Sequence, residues 1–207
     1  MEFDMNDLYA AVVHDVKNQL AELSLRLSAR DDSQLETGIA MNAARRLTEL
    51  LLLQRQDSDL LEANVDSVDP VDTLNMLAAE YRDLFPAIDL VVDTESAPVF
   101  GFFDDALVRL ALANAVHNAC RYARSRVTLS AGKADDMLVF EVADDGAGYP
   151  TAMLMDDTLV PSAASYRGTG MGLYLARKIA NLHELEGRRG SVVLDNRDGA
   201  VFRMMLP

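Results

Sequence analysis

The first 69 residues of this 207-residue chain contain no proline and one glycine, Gly38, whereas the remainder holds all six prolines and ten of the 11 glycines. Proline removes a backbone donor, and glycine costs about 1 kcal/mol in a helix interior. The opening stretch is therefore free to form long helices, and Leu, Ala, Gln, Glu and Arg dominate it. Tyr9, Val13, Val16, Leu20, Leu23 and Leu27 recur at spacings of 4, 3, 4, 3 and 4, the seam of a helical bundle. Asp31-Asp32-Ser33 interrupts this helix, and a second, over about Ser33 to Asn64, carries Ile39, Ala43, Leu47, Leu50 and Leu51 inward. So short a turn predicts an antiparallel hairpin. Two helices alone bury too little of their apolar faces, so the hairpin is expected to pair with a second copy as a homodimeric four-helix bundle.

Pro70 biases its predecessor away from helix, which sets a boundary in Asp66-Ser67-Val68-Asp69-Pro70 and divides the chain into domains 1–66 and 67–207. Periodicity in the second predicts a helix at about 71–84, strands near 88–93 and 97–102, and a helix from Asp104 to Ala123. Strands at 125–131 and 137–143 follow, then a loop, a helix from about Gly170 to His183, and a closing hairpin of 190–195 and 200–206. The fold class expected is α+β, a helical hairpin followed by an α/β sandwich. A net charge of −14 argues against a nucleic-acid partner, since that affinity comes mainly from Lys and Arg. Cys120 is the sole cysteine, which excludes an internal disulfide and a multi-thiol metal site. The start of the chain lacks a basic region followed by an apolar run, and apolar runs such as Leu50 to Leu53 fall far short of the roughly 20 residues of a membrane span. A cytoplasmic protein without a membrane span is expected.

Four short segments carry chemistry. His14 sits one residue past the seam position Val13, so its ring should project from the flank of the bundle. Asp15 can hydrogen-bond one imidazole nitrogen and leave the other as a nucleophile, and Asn18, one turn on, can hold a water beside a group attached there. Asn114 and Asn118 lie one turn apart on an Ala- and Leu-rich helix, with Arg121 and Tyr122 beginning the next turn. Amide oxygens are hard ligands suited to Mg²⁺. Asp144-Asp145-Gly146-Ala147-Gly148 closes an apolar strand with two glycines that let the backbone turn tightly against a flat ligand. Gly168-Thr169-Gly170-Met171-Gly172-Leu173 opens a helix, where backbone donors make an anion site; its spacing fits neither the dinucleotide-binding nor the Walker pattern.

In order, spacing and context these segments resemble the H, N, G1 and G2 boxes of sensor histidine kinases, whose nucleotide domain is similar to those of gyrase, heat-shock chaperone and mismatch-repair ATPases. The resemblance covers nearly the whole chain. It implies ATP and Mg²⁺ as cofactors, with His14 as phosphoacceptor and Asp15 and Asn18 as its catalytic neighbours. Asn118 would bind Mg²⁺, Asn114 and Arg121 would approach phosphate, Tyr122 would pack by the adenine, and Asp144 would accept a hydrogen bond from the adenine amino group. Gly146, Gly148, Gly168, Thr169, Gly170, Met171, Gly172 and Leu173 would complete the nucleotide site. Phosphate would pass from His14 to an Asp of a response-regulator receiver domain, and the Asp15–Asn18 pattern also implies dephosphorylation of that partner. The chain departs from the family in two places. Gln19 stands where the H-box often has proline, and the Phe-containing box is missing, as no Phe lies between Phe140 and Phe202. The 19-residue loop from Tyr149 to Arg167 would be the lid over ATP. No sensory domain is visible before His14, so the signal is expected from a separate sensory protein or from a domain missing from this chain. Two other readings stay open: a histidine phosphotransfer protein with a degenerate nucleotide domain, and a non-catalytic ATP-binding or anti-sigma-type module.

Overall fold

The computed structural model describes residues 62–154 and 170–207, together with Leu20, Leu23 and Ala43, which are helical. The chain divides into two units, Met1–Leu61 and Glu62–Pro207. Residues 62–64, expected to close the second helix, are described and are not helical; the rest of the expected helical hairpin and its seam, those three positions apart, lies outside the described residues. Among the described residues no helix is long and apolar enough to cross a membrane.

In chain order the second unit contains β1 (Asp66–Val68), α1 (Pro70–Leu84), β2 (Asp89–Asp93), β3 (Gly101–Phe103), α2 (Asp105–Tyr122), β4 (Arg126–Ala134) and β5 (Met137–Asp144). Then come α3 (Thr151–Leu154), α4 (Gly170–Leu182), β6 (Glu184–Leu185), β7 (Arg188–Arg189), β8 (Ser191–Asn196) and β9 (Ala200–Leu206). Strands β2-β4-β5-β9-β8 form one sheet, with β2 parallel to β4 and every other pair antiparallel. Alternation decides its faces. The register places Leu129, Val142 and Phe202 in one row and Ala131, Phe140 and Met204 in the next, all buried. Glu141 opposite Arg203 begins the other face, where the two side chains pair at 2.7 Å. Helices α1, α2 and α4 cover the apolar face: α1 packs on β2 and β4, α2 on β4 and β5, and α4 on β8 and β9. Leu74, Leu77, Val108, Leu112, Leu175 and Ile179 meet the sheet there, with Phe103 edge-on to Phe140 at 5.3 Å. This is the expected sandwich.

Local signals set the helix starts. Asp69 accepts a hydrogen bond from the Val71 N–H ahead of Pro70, and Asp104 accepts one from Leu107 N–H at 3.0 Å, so each helix begins on a carboxylate cap. The β4–β5 turn is Asp135-Asp136, both with positive φ, as a two-residue hairpin of matching twist requires.

Three expectations need correcting. The strand expected over 97–102 is reduced to Gly101–Phe103, and it pairs with β1 rather than joining the main sheet. Pro98 has no N–H to give a ladder, and the Ala97 N–H is turned back to Thr94 O at 3.2 Å. Its partner β1 lies in the segment that marks the expected domain boundary, where no strand was expected. A small hairpin of β6 and β7, turning through Glu186 and Gly187 at positive φ, stands between α4 and β8 where no element was expected. Within the long loop, Thr151–Leu154 make one helical turn.

Candidate functional site

Helix α2 presents Asn114, Asn118 and Tyr122 at four-residue intervals, hence along one face. Around them Ala111, Ala115 and Ala119 are too small to fill the space between α2 and the first turns of α4. The result is a cavity of about 380 Å³, within the range of small-molecule sites, lined also by Asp144, Gly148, Tyr149, Pro150, Met153, Gly172, Leu173, Ala176, Leu194, Ala200 and Phe202. Its walls are largely apolar, and its polar side chains come from two stretches, α2 and the segment from Asp144 to Tyr149.

Asn114 is buried, and its Nδ2 has no hydrogen-bond partner among the described residues. A buried amide left unsatisfied is costly unless a ligand completes it. Gly172 lies directly against it: a Cβ there would sit 3.0 Å from the Asn114 amide carbon and oxygen, so glycine keeps the floor of the cavity open. Asp144 follows Phe140 and Val142 on the inward phase of β5, which directs it toward the helices. Its Oδ1 accepts from Gly146 N–H at 2.7 Å and from Ala200 N–H at 3.2 Å. One carboxylate oxygen is thus pinned by backbone, and the other is left to a ligand. Gly146 is required because a Cβ would stand 2.4 Å from the Tyr122 carbonyl oxygen. Burial first, and then the Asp144 carboxylate, push the Tyr149 phenol up, so it lines the cavity as a neutral hydroxyl.

Of the expected nucleotide residues, Asn114, Asn118, Tyr122, Asp144, Gly148, Gly172 and Leu173 come together around this cavity. Gly146 supports it from behind. Gly170 and Met171 are the first residues of α4. Arg121 is not among the lining residues; its guanidinium lies over the Tyr122 ring, 5.5 Å from the centroid. His14, Asp15, Asn18, Gly168 and Thr169 lie outside the described residues. His117 faces away, edge-on to Phe85 at 5.7 Å and to Tyr81 at 6.4 Å, which binds α2 to α1. The Cys120 thiol is buried and pushed up to about 12, first by burial and then by Asp144, so it is no nucleophile. Among the described residues no group of three or more His, Cys, Asp or Glu could hold a metal ion. The Asn118 amide is the donor that fits a hard cation sharing its remaining ligands with phosphate and water.

Tyr149, Leu194, Ala200 and Phe202 were not foreseen, although β8 and β9 were; the register that aims Leu194 and Phe202 inward follows from strand alternation. The motif also groups Asp145 with Asp144. Asp145 points instead to the α2–β4 connection, accepting from the Ser125 hydroxyl at 2.6 Å, from Arg124 N–H at 2.7 Å and from Ser125 N–H at 3.0 Å. The period of two along β5 was the signal that could have separated the two carboxylates.

Residues 103–207 match the family model described as histidine kinase-, DNA gyrase B- and HSP90-like ATPase. The chain is 30% identical over 214 residues to the sensor histidine kinase GtrS of Pseudomonas aeruginosa, covering 98% of this chain and 41% of that protein. It is 29% identical over 180 residues to the histidine-protein kinase AfsQ2 of Streptomyces coelicolor, covering 82% of this chain and 32% of the relative. It thus spans well under half the length of these curated relatives. Among solved structures, the Acinetobacter baumannii histidine kinase AdeS superposes with a TM-score of 0.63 at 16% identity over 94% of each chain. Full-length ShkA in complex with AMPPNP superposes with a TM-score of 0.65 at 19% identity, over 99% of this chain and 46% of that one. At such identities these two likenesses speak for the fold.

Proposed function

The chain belongs to the histidine kinase-, DNA gyrase B- and HSP90-like ATPase family as a histidine kinase transmitter, and on that premise we propose that it binds ATP in the cavity between α2 and α4 and transfers the γ-phosphoryl group to His14. The observation that carries this reading is the convergence of Asn114, Asn118, Asp144 and Gly172, drawn from three distant motifs, on one largely apolar cavity with an unsatisfied buried amide. A flat base fits between apolar walls, with the free oxygen of Asp144 accepting from its amino group. Asn114 and the α4 N-terminus suit the phosphates, where backbone donors and the helix dipole favour negative charge. Bound at Asn118, Mg²⁺ would supply neutralisation of phosphate charge.

In the transfer, a neutral imidazole nitrogen of His14 forms a bond to the γ-phosphorus while the bond from that phosphorus to the β–γ bridging oxygen breaks, the electron pair leaving with ADP. Asp15 holds the other ring nitrogen in the tautomer that leaves the attacking one unprotonated. Phosphohistidine then donates to an Asp of a response-regulator receiver domain, and in the dephosphorylating reaction Asn18 orients a water that attacks the aspartyl phosphorus, breaking its bond to the carboxylate oxygen and releasing inorganic phosphate. In this scheme domain 1–66 is the dimeric phosphoacceptor bundle and domain 67–207 the catalytic domain, with the stimulus delivered by a sensory protein or sensory domain.

The test is incubation of the purified chain with γ-labelled ATP and Mg²⁺. Acid-labile label is expected on the wild type and absent from His14→Gln and Asn118→Ala. An unlabelled wild type would overturn the kinase reading; label surviving in His14→Gln would overturn the site; label accepted only from a phosphorylated receiver domain would identify a relay.

A further inference from the structure

The strand β8 ends at Asn196, opposite Ala200, and the three residues between them turn the chain into β9. Both ends of this turn grip the segment from Asp144 to Tyr149. At one end the Ala200 N–H donates to Asp144 Oδ1 at 3.2 Å. At the other, Tyr149 N–H donates to Asn196 Oδ1 at 2.7 Å while Asn196 Nδ2 donates to the Tyr149 carbonyl at 2.9 Å. A primary amide is the side-chain group that can copy both halves of a strand pairing, offering a donor and an acceptor side by side. The fit extends to Gly148, which lines the cavity at φ +80: a Cβ there would stand 2.8 Å from the Asn196 amide carbon. Glycine is needed both for that φ and for that approach.

We propose that Asn196 is a positioning residue for the nucleotide site: its amide fixes Gly148 and Tyr149 as one wall of the cavity while the far end of the same turn fixes Asp144, so that a single hairpin sets the distance between the carboxylate and that wall. The proposal rests on the nucleotide reading of the cavity. Asn196 is exposed and contributes nothing to the apolar core, so its removal should disturb the wall without unfolding the domain. Without the amide the wall is free to move, and a ligand pays for ordering it when it binds.

The experiment compares the wild-type chain with Asn196→Ala by calorimetric titration with the non-hydrolysable analogue AMPPNP, by the thermal midpoint of the free protein, and by the ATP dependence of labelling. Loss of one net hydrogen bond's worth of order predicts a Kd and a KM raised about fivefold, with kcat and the thermal midpoint of the free protein nearly unchanged. A merely structural role would lower the midpoint and leave the Kd of the folded fraction as it was, which would overturn the proposal, as would an unchanged Kd at an unchanged midpoint. Wild type that fails to bind the analogue would overturn the nucleotide reading and the proposal with it. Should the Ala variant not fold, Asn196→Asp keeps the shape and the acceptor for Tyr149 N–H but loses the donor; weaker binding of neutral adenosine then supports the proposal, and unchanged adenosine binding overturns it.

Discussion

Two adjacent carboxylates, Asp144 and Asp145, show how one residue of sequence separates ligand chemistry from scaffold. Asp144 faces the helices and spends one oxygen on backbone. Asp145 leaves the ladder and collects the Ser125 hydroxyl and N–H and the Arg124 N–H. These bonds, the Ser125 hydroxyl first, hold its carboxyl well below the usual carboxylate range. A depressed folded-state value means that the stabilisation is complete above the unfolded value and is lost as pH falls toward the folded one. Asp145→Asn should therefore lower the thermal midpoint most at neutral pH, and the gap to wild type should narrow as pH falls below about 4. Nucleotide affinity should be little changed. Asp144→Asn should do the reverse, leaving the midpoint near wild type and weakening adenine nucleotide binding roughly tenfold to a hundredfold, because an acceptor becomes a donor in the cavity. Thermal melts across pH, with nucleotide titrations of both variants, check the contrast; if both variants lose binding equally, the assignment of separate roles fails.

Among the elements, α2 and α4 carry the two sides of the cavity, and their other ends are fastened by a buried pair. His183, just past α4, accepts the Asp104 N–H at Nε2 at 3.0 Å and donates from Nδ1 to Ile179 O at 2.8 Å, which assigns the neutral tautomer. Asp104 in turn caps α2 and accepts Asn64 N–H at 2.9 Å, tying the start of the unit to the same point. Replacing His183 with Leu orphans the buried Asp104 N–H and should cost about 1–3 kcal/mol, read as a lower denaturation midpoint with an unchanged slope; an unchanged midpoint would show that the pair is dispensable. None of this was legible in the sequence, where His183 ends a predicted helix and Asp104 begins another. The long, strongly periodic elements were legible, because α1, α2, α4, β4, β5 and β9 each repeat a pattern over several residues. The three-residue β1 and β3 and the two-residue β6 and β7 repeat nothing, and their existence depends on pairing between distant segments. The cavity residues followed the same divide: Asn114, Asn118, Asp144 and Gly172 announce themselves by motif, while Tyr149 and Asn196 become functional candidates through a contact across 47 residues.

At the scale of the whole molecule the two units differ in what they need. Glu62–Pro207 closes its own core: the apolar rows of the sheet are covered by α1, α2 and α4, and Phe103, Phe140, Leu129 and Met204 are fully buried without a partner chain. The seam from Tyr9 to Leu27 and the inward positions from Ile39 to Leu51 read as a surface that two helices cannot bury between themselves. Dimerisation should accordingly reside in the first unit and nucleotide binding in the second. The full chain is expected to sediment as a dimer at micromolar concentration, and a fragment of residues 62–207 as a monomer. Both should bind AMPPNP with the same Kd, because no cavity residue described here lies before Ala111. With γ-labelled ATP the fragment should acquire no label, lacking His14, and the thermal midpoint of the full chain alone should rise with protein concentration, as linkage requires when folding and association are coupled. Analytical ultracentrifugation of both proteins decides the matter: a monomeric full chain would refute the bundle, and a dimeric fragment would move the interface onto the nucleotide-binding unit, where the exposed Phe100 and Phe102 of the β3 region would be the first residues to substitute.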